Sequence, residues 1–461
     1  MPDPASVTAL QRALEQRLEL RWGSAVGIDG LAELAGGASR QTTRFVARTG
    51  TGERALVLRR DLAGAAGAAE MNREAEAMAA AAKVGVPVPE IVDSGADLLG
   101  TPFIVMGYVE GESIPRRLLR EETFAAIRPT MAHELGRLAA RIHTMSLAEA
   151  PSLQRPDPLA MLRQLSERYD EPRPTVELAL HWLQTNRSPA TVDTVVHGDL
   201  RNGNILVGPD GIRGVLDWEL VHRGDPVEDL GWLCVKAWRF GSAEAVGGFG
   251  SRQQLLDGYA SVAGWRPTEA QLHWWEVYGH LHWVLLCRLQ AAIHLHGKRD
   301  SLEHAVIGRR VCEAEFDLLL SLGLAEPVAQ VDPLDGVEEL ATLTRAATPH
   351  DAPDADHLLA VVQRFLSEGS PTHTDGPQRF LARVAANAIR IARRELLLQQ
   401  GQGEEHRRRL NSLGFADDAA FATAIRAAAI DPLGGEAVAA IRAAVLEKLL
   451  VANPRYSSQP G

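Results

Sequence analysis

Apolar residues near the start of the chain recur every four positions, at Leu10, Leu14 and Leu18, within an otherwise polar stretch. This spacing places the three leucines on one face of a helix, so the pattern predicts an amphipathic helix over residues 1–23. The stretch lacks the basic start and the continuous apolar run of a secretory signal. No later segment approaches the length needed to span a bilayer, so we expect no membrane contact.

The pattern then changes to that of strands. In residues 55–60, Leu56 and Leu58 face one side of a predicted strand and Arg59 faces the other. Residues 103–109 are a continuous apolar run, which predicts a buried strand. An Ala- and Glu-rich segment between them predicts a helix.

Composition indicates further boundaries. Residues 327–355 are rich in Pro, Asp, Ala and Thr, which is typical of a linker. Beyond them, helical patterns dominate and no catalytic cluster is visible. We therefore expect an α+β fold with a β-rich N-lobe, a mainly helical C-lobe and a C-terminal all-α domain. The predicted division is an N-terminal helix (1–23), the N-lobe (24–111), the C-lobe (112–326), a linker (327–355) and a helical accessory domain (356–461).

One face of the accessory domain carries polar residues. Asn387, Arg390 and Arg394 have spacings of three and four, so they share a helix face that could bind a phosphate group. A solvated helix face is the alternative interpretation.

Residues 197–204 have the sequence His-Gly-Asp-Leu-Arg-Asn-Gly-Asn. An Asp that accepts a proton from an attacking hydroxyl and an Asn that binds a metal ion must face one cleft, and four intervening residues let a loop bring both together. The spacing matches the catalytic loop of protein kinases, with Gly198 in place of Arg. Asp199 is therefore the candidate base and Asn204 a candidate metal ligand. In the alternative interpretation, an Asx-type turn, both side chains only satisfy backbone groups.

A predicted hairpin follows this loop. Residues 205–207 and 212–216 are short apolar strands around a Gly-Pro-Asp-Gly turn. A hairpin of this length returns Asp217 to the cleft, where a second carboxylate could bind Mg²⁺, an ion that prefers oxygen ligands.

A nucleotide site is expected upstream. Gly36, Gly37 and Ser39 lie in a Gly/Ser/Thr loop before a strand, and small residues let backbone N–H groups approach phosphate oxygens. An ordinary turn would have the same composition.

Val57 stands two places before Arg59, as a small residue does before the phosphate-binding lysine of the Val-Ala-Ile-Lys motif. No lysine occurs before Lys83, so Arg59 must take that role if the role is filled. A guanidinium can also bind phosphate, although an edge-strand arginine in solvent is the alternative. Glu74 is the predicted helix partner of Arg59, and Glu70, one turn earlier, could substitute for it.

Taken in order, these motifs resemble the aminoglycoside phosphotransferase family, which consists of small-molecule kinases with the protein kinase-like fold. The resemblance covers about residues 24–326 and includes Met-Gly-Tyr-Val-Glu-Gly at 106–111 and Gly-Asp-Pro-Val-Glu-Asp-Leu-Gly at 224–231. It implies two lobes, ATP and Mg²⁺ as cofactors, and a hinge that meets the adenine edge. It also implies these roles: catalytic base, Asp199; magnesium ligands, Asn204 and Asp217; nucleotide site, Gly36, Gly37, Ser39, Arg59, Glu74, Met106 and Tyr108; structural support, His197 and Asp229.

The charge and the cysteine content of the chain limit the partners and the compartment that we expect. The chain of 461 residues has 48 basic and 59 acidic residues and a net charge of −11, which argues against nucleic acid as a partner. Cys234, Cys287 and Cys312 are odd in number and lie in apolar text, so we expect reduced thiols in a cytoplasmic protein.

Residues 272–288 are the candidate acceptor segment. They are aromatic and apolar with one acid, so they suit a cationic aminoglycoside poorly and an acyl chain better. Nearby cations would bind an anionic handle, although the alternative is that the apolar residues are core and the cations are solvated. The apolar residues are Trp274, Tyr278, Leu281 and Leu285. The cations are Arg116, Arg117, Arg120, Lys298, Arg299, Arg309 and Arg310.

Residues 287–292 and 307–319 also resemble the subgroup of kinase-like domains fused to acyl-CoA dehydrogenases, with bacterial relatives acting on 4-hydroxyacyl-CoA. This resemblance implies a hydroxylated, CoA-linked acceptor. The accessory domain resembles a small all-α bacterial domain of unknown function, and we expect it to mediate self- or partner association or to gate substrate.

Three functions are therefore considered. Asp199, Asn204 and Asp217 together favour an active kinase, whereas Arg59 in place of Lys favours a nucleotide-binding protein without turnover. The third, an aminoglycoside-type antibiotic phosphotransferase, predicts an acidic acceptor site that the sequence does not supply.

Overall fold

The computed structural model describes residues 4–34, 40–61, 67–168, 172–187, 191–296, 302–335, 355–368 and 376–459. The chain divides into two compact units. The first consists of Met1–Pro156 with Ser188–Trp275, and the second of Asp157–Arg187 with Glu276–Gly461. The domain limits predicted from composition remain predictions.

Helices dominate the described residues. The α-helices are α1 (Pro4–Trp22), α2 (Ala68–Lys83), α3 (Pro115–Arg120), α4 (Met131–His143), α5 (Pro158–Glu167), α6 (Pro174–Thr185), α7 (Val227–Cys234), α8 (Arg252–Ala263), α9 (Glu269–Leu295), α10 (Leu302–Gly308), α11 (Val311–Ser321), α12 (Ala355–Glu368), α13 (Gly376–Ser412), α14 (Asp418–Arg426) and α15 (Gly435–Ala452). The strands are β1 (Gly27–Glu33), β2 (Gln41–Thr49), β3 (Gly52–Arg60), β4 (Ile91–Leu98), β5 (Thr101–Gly107), β6 (Thr194–Val196), β7 (Ile205–Gly208), β8 (Gly211–Val215) and β9 (His222–Gly224).

The first unit contains a five-stranded antiparallel sheet in the order β1-β2-β3-β5-β4. Leu56 and Leu58 of β3 are fully buried, as the alternation predicts. They share one hydrophobic core with Leu10, Leu14 and Leu18 of α1. The amphipathic N-terminal helix is therefore confirmed, and its leucines are part of the core of the sheet.

Helices α4 and α8 of the first unit meet backbone to backbone. A Cβ at Gly136 would lie 2.1 Å from the Leu255 oxygen, and one at Gly258 would lie 2.0 Å from the His133 oxygen. Only glycine permits this approach. The two helices carry His143 and Tyr259, whose side chains meet across this contact.

Strands β7 and β8 form the predicted hairpin, with a bulge between Leu206 and Val207. The hairpin leads into Asp217, which adopts a left-handed conformation with φ of 65°. A non-glycine residue in this region is strained, and such strain is typical of functional positions.

The second unit is helical. One core joins residues of α11 to residues of α14 and α15, including Phe316, Leu319, Phe421, Ile425 and Val445. Helix α13 runs continuously through residues 401–411. These helices pack against one another because each of them buries apolar side chains in this shared core.

Arg390 and Arg394 are ion-paired in this unit. Both donate to Asp332, with nitrogen–oxygen distances of 2.6 Å, and the Arg394 side chain is buried. Asp332, 58 and 62 residues away in sequence, therefore binds two of the three predicted face residues, while Asn387 is exposed. The phosphate role of this face remains a prediction.

The cysteines and the apolar character of the helices bear on the environment of the chain. The three cysteines are buried thiols rather than disulfides, as expected. Within the described ranges, none of the helices combines the length and the apolar character that crossing a bilayer requires.

Candidate active site

The loop of residues 197–204 connects β6 to β7, and α7 supports its first turn. Asp229 Oδ2 accepts the backbone N–H of His197, and Oδ1 accepts that of Gly198, both at 2.9 Å. Gly198 has φ of +79°, and a Cβ there would lie 2.5 Å from the Leu220 oxygen. The loop thus needs glycine where protein kinases have Arg.

Asp229 is fully buried and has a further partner. His143 Nε2 lies 3.1 Å from Asp229 Oδ2, and Tyr259 Oη lies 3.1 Å from His143 Nδ1. Burial raises the pKa of Asp229, but the bond from His143 and the charges around it lower that pKa overall. A buried chain of residues from α8, α4 and α7 therefore supports the loop.

His197 links the loop to the hairpin. Its Nδ1 accepts the backbone N–H of Asp199 at 3.1 Å, so its proton lies on Nε2, which donates to the Leu216 oxygen at 3.1 Å. Burial lowers the pKa of His197. A neutral imidazole with both nitrogens engaged fits the predicted supporting role, which remains a prediction.

Asp199 is buried, and three side chains donate to its carboxylate. Arg201 Nε and Trp232 Nε1 donate to Oδ1 at 2.9 and 2.8 Å, and Asn204 Nδ2 donates to Oδ2 at 2.6 Å. Burial raises the pKa of Asp199, Arg201 opposes this effect, and the net direction is upward. The carboxylate is therefore a stronger proton acceptor than an exposed Asp, as a general base requires.

Asn204 and Asp217 are held next to each other by the hairpin. The backbone N–H of Leu216 donates to the backbone oxygen of Asn204 at 2.8 Å. Because the Asn204 amide nitrogen donates to Asp199, its side-chain oxygen is the atom available to a cation. Asp217 adds a half-buried carboxylate.

Glu74 and Arg59 form the predicted ion pair between helix and strand. Arg59 Nη1 donates to Glu74 Oε1, and Arg59 Nη2 donates to Asp217 Oδ1 at 3.0 Å. Burial lowers the pKa of Arg59, but the Glu74 and Asp217 carboxylates raise it overall. Glu70 is exposed, so the alternative partner is not supported.

Arg40 is a residue of this cluster that sequence reasoning missed. Its Nη1 donates to Glu74 Oε2, and both side chains are buried. Glu74 therefore binds one arginine on each oxygen. No local pattern identifies Arg40, because it lies 34 residues before Glu74 in the sequence.

Of the other residues predicted for the nucleotide site, the structure describes only two. Gly36, Gly37 and Ser39 lie outside the described residues. Met106 is buried in β5, whereas Tyr108 follows this strand, is exposed, and has the Arg44 guanidinium 4.4 Å from its ring centre. Their nucleotide roles remain predictions.

The proposed acceptor segment is core. Trp274, Tyr278, Leu281 and Leu285 of α9 are all buried, so the interpretation of these residues as a groove wall is wrong and the core alternative holds. Helical spacing cannot distinguish a core face from a groove.

Of the cations predicted beside that segment, Arg309 pairs with Glu395 and Arg310 with Glu313. Arg116, Arg117 and Arg120 are exposed, and Lys298 and Arg299 lie outside the described residues.

Residues 30–265, more than half of the chain, match the model of the phosphotransferase enzyme family. The chain belongs to the phosphotransferase enzyme family. The prediction of a small-molecule phosphotransferase is thereby confirmed. Residues 372–456 of the phosphotransferase match a domain of unknown function (DUF6285), as the resemblance of the accessory domain implied.

The phosphotransferase also has curated relatives. Mouse acyl-CoA dehydrogenase family member 10 is 29% identical over 216 residues, which cover 43% of this chain and 20% of the relative. Chicken acyl-CoA dehydrogenase family member 11 is 29% identical over 179 residues, covering 35% and 22%. The chain thus spans about a fifth of the length of these relatives.

A solved structure shows the fold. A protein from Ralstonia eutropha JMP134, provisionally named an aminoglycoside phosphotransferase, aligns with a TM-score of 0.55 at 20% identity. The alignment covers 68% of this chain and 98% of that one. The predicted two-lobed protein kinase-like fold with a C-terminal helical region is confirmed.

Proposed function

We propose that this phosphotransferase is an ATP- and Mg²⁺-dependent kinase that phosphorylates a hydroxyl group of a small metabolite in the cytoplasm. The observation that carries the proposal is the convergence of Asp199, Asn204 and Asp217 in one unit, with Arg59 bonded to Asp217. A degenerate binding protein has no chemical need for this whole set. The proposed location is supported by the buried thiols, which are typical of reducing compartments.

Asp199 acts as the base in this proposal. It accepts the proton of the acceptor hydroxyl while the hydroxyl oxygen forms a bond to the γ-phosphorus and the bond between that phosphorus and ADP breaks. Arg201 and Trp232 hold the carboxylate in one orientation through Oδ1. Such positioning is the main contribution that a protein makes to phosphoryl transfer.

The donor set fits Mg²⁺. Asn204 and Asp217 offer an amide oxygen and a carboxylate, both hard ligands. Within the described residues, no group of three or more His, Cys, Asp and Glu side chains is arranged to bind a metal ion. Two protein ligands suffice, because Mg²⁺ takes its other ligands from water and phosphates. When bound, the ion neutralises charge on the transferred phosphate.

Arg59 replaces the usual lysine. Its pairing with Glu74 fixes the guanidinium beside Asp217, where it can bind nucleotide phosphates. An arginine is charged at every relevant pH, so the substitution preserves the electrostatic role of the position.

For the acceptor we propose a hydroxyacyl-CoA. The support is the relationship to proteins named acyl-CoA dehydrogenase family members 10 and 11, whose names associate them with acyl-CoA. Trp274 and Tyr278 are buried in the core and give this acceptor class no support, so the proposal rests on the relatives.

The test is ADP release from the purified chain with MgATP. The acceptor panel contains hydroxyacyl-CoAs, the matching free hydroxy acids, aminoglycosides and amino alcohols, with Asp199→Ala as the blank. Turnover confined to hydroxyacyl-CoA supports the full proposal. Turnover with an aminoglycoside would overturn the acceptor class, and ATP binding without any turnover would favour the binding-protein alternative.

A further inference from the structure

Glu74 pairs with two arginines, the buried Arg40 and the half-buried Arg59. Its side chain is fully buried, Arg40 occupies Oε2 and Arg59 occupies Oε1. The Arg40 side chain is 4% exposed and that of Arg59 is 15% exposed. Two cations thus share one carboxylate in a place where unbalanced charge is costly.

Asp217 supplies the second negative charge through its bond to Arg59. Asp217 is also the carboxylate proposed to bind Mg²⁺. If a cation takes Asp217, Glu74 is the one carboxylate still hydrogen-bonded to the two arginines, and Glu219 acts on Arg59 only through its charge. A polyanion is the ligand that restores the balance, and nucleotide phosphates are such a ligand.

The chain places Arg40 close to where those phosphates are expected. Arg40 directly follows the loop predicted to contact phosphate and directly precedes β2. Strand β2 pairs with β3, and Thr42 lies opposite Arg59 in the register. Arg40, directly before β2, and Arg59 of the neighbouring strand β3 therefore meet the same carboxylate.

We propose that Arg40 is a second phosphate-binding cation of the nucleotide site. This inference rests on the proposed ATP-dependent function. A guanidinium has five N–H donors, and the bond to Glu74 uses one of them. Arg40 therefore keeps Glu74 in place while it donates to a phosphate oxygen, so that Arg40 and Arg59 together replace the single lysine of related kinases.

The experiment compares nucleotides that differ only in phosphate number. The affinities of wild type, Arg40→Gln and Arg40→Lys for ATP, ADP and adenosine are measured by calorimetry with Mg²⁺. Arg48→Gln is the matched control, because Arg48 lies on β2, the strand that Arg40 precedes, in exposed ion pairs with Asp29 and Glu53.

We expect Arg40→Gln to lose about 10- to 100-fold in affinity for ATP and ADP, the usual effect of removing a charge-assisted hydrogen bond. Adenosine affinity changes less than about threefold, because a phosphate contact does not affect the nucleoside. Arg40→Lys, which keeps the charge but loses the planar fork, falls between wild type and Arg40→Gln. Arg48→Gln binds like wild type.

A purely structural role for Arg40 predicts equal losses for ATP and adenosine, and that result would overturn the inference. An unchanged ratio of adenosine to ATP dissociation constants in Arg40→Gln, or in Arg40→Lys if the glutamine variant fails to fold, would also overturn it. Absence of MgATP binding by the wild type would instead overturn the proposed function, so the two failures are distinguishable.

Discussion

The Asp229 carboxylate accepts the backbone N–H of His197 at 2.9 Å, and through this bond helix α7 fixes the start of the loop of residues 197–204. Asp229→Ala removes the acceptor for His197, Gly198 and His143 in a fully buried place. We expect a loss of about 3–5 kcal/mol in the free energy of unfolding, as for other broken buried pairs. Urea denaturation measures it.

Asp210→Ala is the control for this prediction. Asp210 is 71% exposed in the hairpin turn and pairs with Arg213, so its removal changes the unfolding free energy by at most about 0.5 kcal/mol. Equal effects of the two substitutions would show that Asp229 does not support the loop.

Glu74→Gln leaves Arg40 and Arg59 without their shared carboxylate. We expect a loss of about 3–5 kcal/mol in unfolding free energy, together with a raised KM for ATP because Arg59 is no longer fixed. Glu70→Gln, on the same helix and exposed, should leave both quantities near wild type. Denaturation and steady-state kinetics measure the two variants. A larger effect of Glu70→Gln than of Glu74→Gln would refute Glu74 as the helix partner of Arg59.

The pKa of Asp199 is raised by burial, so the acidic limb of the pH profile of kcat/KM should lie above the ordinary range of an Asp. Activity is lost as pH falls, because a protonated carboxyl cannot act as the base. Arg201 lowers the pKa of Asp199, so Arg201→Gln should move the limb to higher pH. Arg213→Gln, on strand β8 of the hairpin, is the control. A limb that stays in place or moves to lower pH in Arg201→Gln contradicts the assignment of Asp199 as base.

His222 is paired with Glu228 at 3.2 Å, and Asp229 lies on the same helix. Burial lowers the pKa of His222, but these carboxylates raise it overall, to about 9 from the ordinary 6.5. Because the folded pKa is the higher one, this stabilisation is fully present below pH 6.5 and is lost as pH rises through about 9.

The magnitude of this effect is at most about 3 kcal/mol. Unfolding free energies of wild type and His222→Gln, measured between those pH limits, should converge as pH rises. A difference that is constant across this range would show that His222 does not titrate as described.

The sequence predicted the elements that depend on local pattern. The leucines of α1, the alternation of β3 and the hairpin before Asp217 all follow from spacing and turn residues within about 20 positions. The loop 197–204 could be found for the same reason, because its chemistry requires a fixed separation of Asp199 and Asn204.

The rest of the site depends on contacts between distant residues. Arg40 reaches Glu74 and Trp232 reaches Asp199 only after the sheet and α7 have formed. The pairing of Arg390 and Arg394 with Asp332 has the same origin. The error over Trp274 and Tyr278 has another cause, since an apolar helix face has the same periodicity whether it faces a core or a ligand.

The most direct test of the central claim is turnover by Asp199→Ala with MgATP and the acceptor that the wild type uses. We expect kcat to fall by about 10²–10⁴-fold, the usual contribution of general-base catalysis, while ATP affinity stays within about threefold. Turnover equal to that of the wild type, in a folded variant that binds ATP, would contradict general-base catalysis by Asp199.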